Sequence, residues 1–254
     1  MSDALDPRRL EEIGLNALQT QRQLFYDGWL LRISPGRAKR ARSVNPFFGS
    51  SLPLDDKIAY CERIYEAAGL PTLFRMTPFN QPPDLDTALA ARGYRAFDAT
   101  WVQAVTLEAP PDVPASSDVE LTQPDVAAFV AAVGEMRQSP PEQQAAHLER
   151  LTHTPLRRRG VLATSGGRPI AAGQVAVEDG VAGIFDVVTV ESERGRGVAT
   201  QIVAQLLAWA WSRGAHAAYL QVDDANRPAH AIYRKFGFTT RYTYHYRARE
   251  DECH

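Results

Sequence analysis

The stretch Val187-Val-Thr-Val-Glu-Ser-Glu-Arg-Gly-Arg-Gly-Val-Ala-Thr200 decides how this chain is read. A β-branched run ends in it, a glycine-punctuated turn follows, and an amphipathic helix begins. Arg194-Gly-Arg-Gly-Val-Ala199 places two residues without a β-carbon where strand becomes helix, so backbone N–H groups there can converge on an anion. A pyrophosphate suits such a turn. Ile202, Leu206, Trp209 and Ala210 then recur on one helical face while Gln201, Gln205 and Ser212 lie off it, and Gly214 after Arg213 ends the helix. A Walker A loop would need Gly-Lys-Ser/Thr, and a dinucleotide turn would need a third glycine at position 200, where Thr stands.

Downstream, a strand over 217–222 leads to Asn226, Ala229 and Tyr233 and then to Phe236-Gly-Phe238. With these residues the chain resembles the GNAT superfamily of N-acetyltransferases. Arg194, Gly197 and Ala199 match its signature Gln/Arg-x-x-Gly-x-Gly/Ala. Asn226, Ala229, Tyr233 and Gly237-Phe238 match its second motif, Asn-x-x-Ala-x-x-x-Tyr followed by Gly-Phe. Glu191 stands where the family often has Pro.

Composition is that of a folded chain long enough for one large or two ordinary domains: 254 residues, 44% hydrophobic and 23% charged. A net charge of -2 argues against a broad nucleic-acid footprint. Cys61 and Cys253 are the only cysteines and give neither a disulfide framework nor a metal-ligand spacing, which points to a reducing cytoplasm and no metal. Met1-Ser-Asp-Ala-Leu-Asp6 carries no export signal, and no apolar run approaches the ~20 residues of a membrane helix.

In chain order, Asp6 and Pro7 open a helix, the run from Tyr26 to Ile33 reads as one strand, and Ser34-Pro-Gly36 turns into a basic loop. A return strand over 42–46, a helix from Pro53 to Gly69 and a short strand over 73–77 follow. Leu85–Arg92, Gly93-Tyr94 and a strand over 99–107 then repeat the order helix, glycine, aromatic, strand that recurs from Ala229 onward. Glu108-Ala-Pro-Pro-Asp-Val-Pro-Ala-Ser-Ser117 reads as a linker. Residues 1–117 are therefore expected to form a degenerate, partial GNAT-like α/β domain without a phosphate turn, and residues 118–254 the active GNAT domain. The second half reads β-α-α-β-β-β-α-β-α-β, the GNAT order: a mixed central sheet flanked by helices.

The resemblance implies acetyl-coenzyme A as co-substrate. Backbone groups of Val188, Thr189 and Val190 would meet the pantetheine arm and polarise the thioester, and residues Arg194, Gly195, Arg196, Gly197, Val198, Ala199 and Thr200 would hold the pyrophosphate at the positive end of the helix. Asn226 would bond the pantetheine, and Tyr233 would protonate the leaving thiolate. Asp186, Glu135 and His245 are candidates for the base, with a water chain in place of a side chain as the alternative. Tyr242, Tyr244 and Tyr246 alternate as core or pocket wall, and Arg157-Arg-Arg159 is either a solvated run or a contact for the adenosine phosphate. Trp29, Arg32, Arg42, Asn45 and Arg75 form either a surface ion-pair network or a cleft in which one arginine clamps a substrate carboxylate. The expected acceptor is a primary amine of a small metabolite or amino acid, with a protein N-terminus or lysine as the alternative and a non-catalytic coenzyme A sensor as the competing class. Neither nucleic acid nor membrane is an expected partner, and the chain is expected to be a monomer or homodimer.

Overall fold

The computed structural model describes residues 5–114 and 118–253. Met1-Ser-Asp-Ala4, His254 and the end of the expected linker, Ala115-Ser-Ser117, lie outside the described residues. Helix α1 (Pro7–Asn16) is capped by the Asp6 carboxylate, which accepts from the N–H groups of Arg8 and Arg9 at 3.0 and 3.1 Å. The run expected as one strand is instead a hairpin of β1 (Gln23–Tyr26) and β2 (Trp29–Arg32). Asp27 and Gly28 both take positive φ, 41° and 84°, as a two-residue hairpin turn requires, so Asp-Gly overrides the apolar run around it.

β3 (Val44–Pro46) returns antiparallel to β2, and α2 (Leu54–Ala67), β4 (Phe74–Met76), α3 (Leu85–Ala91) and the long β5 (Arg95–Thr106) follow. The second half contains β6 (Glu120–Thr122), α4 (Val126–Arg137), α5 (Pro141–His153), β7 (Arg157–Ser165), β8 (Arg168–Glu178) and β9 (Val181–Thr189). Then come α6 (Val198–Trp211), β10 (Ala217–Asp223), α7 (Arg227–Lys235) and β11 (Thr239–Ala248). This is the order expected for residues 118 onward.

The two halves do not make two sheets. All eleven strands of the described residues join one mixed sheet in the order β1-β2-β3-β4-β11-β5-β10-β9-β8-β7-β6. β5, from the first half, lies between β10 and β11, while β11 lies between β5 and β4 of the first half. Each half thus lodges its last strand in the other, and among the described residues no separate first domain forms. The reason is hydrogen-bonding demand: β5 is twelve residues long and satisfies one edge on β10 and the other on β11. Gly93 and Tyr94 donate to Ala90 and Leu89 at 3.0 and 3.1 Å, and Gly237 and Phe238 donate to Arg234 and Tyr233 at 3.1 and 3.2 Å, so α3 and α7 end in the same cap; α2 ends so at Gly69 and Leu70 and α6 at Gly214 and Ala215, and the cap is no mark of an internal repeat.

Helix α6 packs on one face of the sheet through Val198, Ile202, Leu206 and Ala210. Gly173 on β8 permits this close approach, because a Cβ there would come within 2.5 Å of Ile202. On the opposite face Leu10 and Ile13 of α1 pack with Val102, Tyr219, Tyr242, Tyr244 and Tyr246, and the alternating tyrosines are core. Through this layer runs an ion pair between Arg75 and Glu11, each 1% exposed. The Tyr242 hydroxyl donates to Glu11 at 2.5 Å, and the Arg75 guanidinium lies 3.8 Å from the centre of the Tyr244 ring.

Removing one member of that pair strands the other in the core, where breaking a buried ion pair costs roughly 3–5 kcal/mol. Glu11→Ala is expected to lose about that much in urea unfolding, and Tyr242→Phe, which removes one hydrogen bond, about 1 kcal/mol.

Candidate active site

Strands β9 and β10 run parallel and are paired from Val181↔Ala217 to Ile184↔Leu220, and there the pairing stops. β9 continues against β8 alone and β10 against β5 alone. At the parting point Asp186 takes φ 53°, and the β8–β9 register shifts between Ala172 and Gln174. This is a β-bulge. It bends β9 away from β10, and Asp is among the few side chains that tolerate the left-handed backbone it needs.

A cavity of about 900 Å³ occupies the wedge. Asp186, Val188, Thr189, Arg194, Gly195, Gly197, Val198, Ala199, Thr200, Asn226 and Tyr233 all line it, so most of the residues expected from the sequence meet there. Val190 and Arg196 do not. The Val190 N–H donates to Ile170 at 2.9 Å and is already spent on β8. Strand alternation then turns the Val188 N–H toward β8 as well and leaves the Thr189 N–H on the open side. The Thr189 Oγ1, buried and without a partner, adds a second unsatisfied polar group at that point. Arg196 pairs its side chain with Glu193 on the surface.

The turn before α6 carries no protein cap. Gly197 is the N-cap residue at φ 81°, and no side chain caps the helix or places an acidic group in its first turn. The N–H groups of residues 197 to 200 have no protein acceptor among the described residues. A Cβ at Gly195 or Gly197 would meet nothing within 4 Å, so glycine is required by the backbone angle rather than by crowding, and the space before the turn is open to a ligand. Uncapped N–H groups at a helix N-terminus and a clear approach suit a phosphate.

Asn226 caps α7, its Oδ1 accepting from the Ala229 N–H at 3.2 Å, which leaves its Nδ2 as the group that can reach the cavity. Tyr233 lies along the same helix with its ring edge-on to Phe238, and burial pushes its phenol up to about 12. It is protonated throughout the neutral range.

Asp186 is bound from three sides: Arg137 Nη1 lies 2.7 Å from one oxygen, and Gln174 Nε2 and His147 Nε2 lie 2.5 and 3.0 Å from the other. Burial pushes its carboxyl up, but Arg137 and His147 outweigh this and hold it well below the usual carboxylate range. A carboxylate so held has little proton affinity, so Asp186 serves as a fixed negative charge better than as the base. Glu135 is exposed, and His245 bonds Asp86 at 2.8 Å; neither lines the cavity.

His147, Gln174, Arg40, Arg137 and Arg150 also line the wedge or its adjoining chamber, and no sequence motif marks them. Their helices and loop were legible, but which helix face would meet the bulge was not. Conversely, the polar residues singled out in the first half are internal fixtures. Arg32 donates to the carbonyls of Leu15 and Leu18 at the end of α1, Asn45 to those of Leu30 and Ser43, and Trp29 to that of Gln81. Arg42 is partly buried and away from the wedge. They are neither a surface network nor the substrate clamp. Strand alternation splits Arg157-Arg-Arg159: Arg158 donates to Gln174 at 2.9 Å, and Arg159 lies over Trp209.

A mixed sheet opened between two parallel strands, with an uncapped helix N-terminus at the mouth of the wedge, defines an acetyltransferase of the GNAT type. The chain belongs to the family described as "Probable histone acetyltransferase Rv0428c C-terminal", which matches residues 5–247. An uncharacterized N-acetyltransferase, YobR, of Bacillus subtilis is 26% identical over 245 residues, 95% of this chain and 98% of its own length. A GCN5-related N-acetyltransferase from Kribbella flavida shares the fold at a TM-score of 0.71 and 18% identity, over 96% of this chain and 95% of that one. A tandem GNAT protein from the clavulanic acid biosynthesis pathway does so at 0.58 and 14% identity, over 81% and 74%. Among the described residues no helix is long and apolar enough to cross a membrane, and no group of three or more His, Cys, Asp or Glu is placed to hold a metal ion.

Because the folded pKa of Asp186 is depressed, its contribution to stability is present above the unfolded carboxylate pKa and is lost as pH falls through the folded value. Asp186→Asn keeps a residue that tolerates positive φ but leaves Arg137 unpaired. It is expected to cost about 3 kcal/mol at pH 7, near the low end for a broken buried pair, since Arg137 is 23% exposed. The difference between variant and parent in chemical denaturation should shrink steadily below pH 4.

Proposed function

We propose that the chain transfers the acetyl group of acetyl-coenzyme A to a primary amine of a small metabolite or amino acid by direct attack. The observation that carries this is the wedge itself: an open β9 edge, an uncapped α6 N-terminus and Tyr233 line one cavity. Bound acetyl-coenzyme A would supply the thioester. The N–H groups of residues 197 to 200 would hold its pyrophosphate, and the Thr189 N–H, on the unpaired edge, would donate to the thioester carbonyl where charge develops. Asn226 Nδ2 would donate to the pantetheine. Tyr233 gives its proton to the departing sulfur; a phenol near 12 does so only because sulfur's negative charge develops in the same desolvated channel, which raises the thiol's own pKa.

His147, set against Asp186 and lining the inner end of the site, is the group we assign to receive the amine proton, with Asp186 fixing the ring and balancing the imidazolium. We read the first half as a degenerate GNAT copy that lost its phosphate turn and now covers the acceptor end of the wedge. The contribution of Ala17, Leu18, Ala38 and Arg40 to the cavity wall supports the covering role. A second reading, a protein lysine as acceptor, draws on the family's designation as a probable histone acetyltransferase.

Gly197→Asp puts a carboxylate where the phosphates would lie. The open space there lets the chain fold, at a cost of roughly 1–2 kcal/mol for the left-handed backbone. Calorimetric titration should find one acetyl-coenzyme A per chain in the parent and none in the variant; unchanged affinity would remove the site. Tyr233→Phe keeps the ring packing against Phe238 and removes the proton, so turnover is expected to fall roughly 10²-fold with acetyl-coenzyme A affinity nearly constant. Undiminished turnover with chemistry rate-limiting would return Tyr233 to the core. Assaying thiol release with small amines beside lysine-rich peptides separates the two acceptors.

A further inference from the structure

Adjoining the wedge lies a second, smaller chamber of about 320 Å³, open to solvent, and its wall has an unusual charge balance. Arg37, Arg40, Arg137 and Arg150 line it together with His147, and among the described residues Asp186 is its only carboxylate, which leaves a formal excess of three positive charges even with the histidine neutral. Asp186 is already committed to Arg137, Gln174 and His147. The other guanidinium groups have nothing comparable. Arg40 Nη1 is buried with no acceptor, and Arg40 makes no ion pair among the described residues. Among the described residues the only hydrogen bond of Arg150 goes back to Ala146 of its own helix at 3.4 Å, and burial lowers its pKa further than Asp186 can restore. Arg40 and Arg150 are only partly buried, so their forks remain open to a ligand, and a buried guanidinium nitrogen without an acceptor, as at Arg40 Nη1, is costly for the fold alone.

The placement shows what the charge faces. Arg40, Arg137, Arg150 and Asp186 border both this chamber and the wedge, so the chamber opens onto the acceptor end of the site rather than onto the α6 turn, which Gly195 and Gly197 border. The arginines also come from both halves: Arg37 and Arg40 from the loop between β2 and β3, Arg137 from the end of α4, Arg150 from α5. A lysine-rich peptide would bring like charge against four arginines. A carboxylate or phosphate would satisfy the unpaired forks bidentately. The same field lowers the pKa of an amine held beside it, and so favours the neutral, nucleophilic form.

We propose that this chamber is an anion subsite and that the acceptor is a primary amine carrying a carboxylate or phosphate group, with Arg40 and Arg150 as its principal anchors. The inference rests on the acetyl-transfer reading, and the test separates the two. With the protein saturated with coenzyme A, glutarate and inorganic phosphate are titrated as probes and followed by calorimetry and thermal shift. Saturable binding is expected, weakened roughly tenfold or more by Arg40→Gln and by Arg150→Gln, with Arg40→Lys intermediate and coenzyme A affinity unchanged. Turnover of matched pairs, glutamate against glutamine and phosphoethanolamine against ethanolamine, should favour the anionic member of at least one pair and shows which anion is preferred. Absence of saturable binding by either probe, equal binding in the Gln variants, or loss of coenzyme A affinity in those variants would each overturn the anion subsite. Failure of the parent to bind acetyl-coenzyme A would instead strike the acetyl-transfer reading.

Discussion

The parting of β9 from β10 is the constraint on which the rest of this molecule depends. Two parallel strands that begin in register lose each other after Ile184 and Leu220 because a bulge at Asp186 bends one of them. Backbone groups freed in this way are expensive unless something else satisfies them, and the wedge is the place where a ligand can. The bulge is pinned by the same side chain that requires it. The Asp186 carboxylate reaches Arg137 on α4, His147 on α5 and Gln174 on β8, so two helices and a neighbouring strand hold the opening in place.

The interleaving of the halves gives that wedge a rigid frame. β10 has β5 on its far side, and β5 in turn has β11, so the unpaired end of β10 is backed by strands drawn from both halves. Under them, the Arg75–Glu11 pair and the tyrosines of β11 tie α1 and β4 to the last strand of the chain. Such a buried pair is weak evidence for stability in itself, since packed apolar groups of similar volume often do as well. Its geometric effect is clearer: α1 is locked to β4 and β11, and the chain that follows α1 brings Ala17 and Leu18 to the wall of the wedge.

The site divides by charge. At the mouth, neutral backbone donors face a position suited to phosphate; at the inner end, guanidinium groups surround one carboxylate. In the proposed reading the two ends would meet negative charge by different means, one through helix N–H groups and the other through side chains. An acyl donor and an acceptor can thus be held from opposite ends with the reacting groups between them.

Most of the order of elements, and most of the residues that meet in the wedge, were legible in the sequence. Glycine spacing marked the turn before α6, helical periodicity gave α6 itself, and Asn226 to Tyr233, about two helical turns apart, placed both residues on one face. These are local properties, set by backbone angles and side-chain period within a few residues. The Asp27-Gly28 hairpin was also local, and there the apolar run masked it. What the sequence did not disclose is non-local. That β5 would insert beside β10, that Val190 would spend its N–H on Ile170, and that Arg40 and Arg150 would converge while Arg32 and Arg75 turned inward depend on pairings between residues far apart in the chain. No periodicity encodes such pairings. They follow from satisfying sheet edges and buried charges all at once, and only the folded chain can do that.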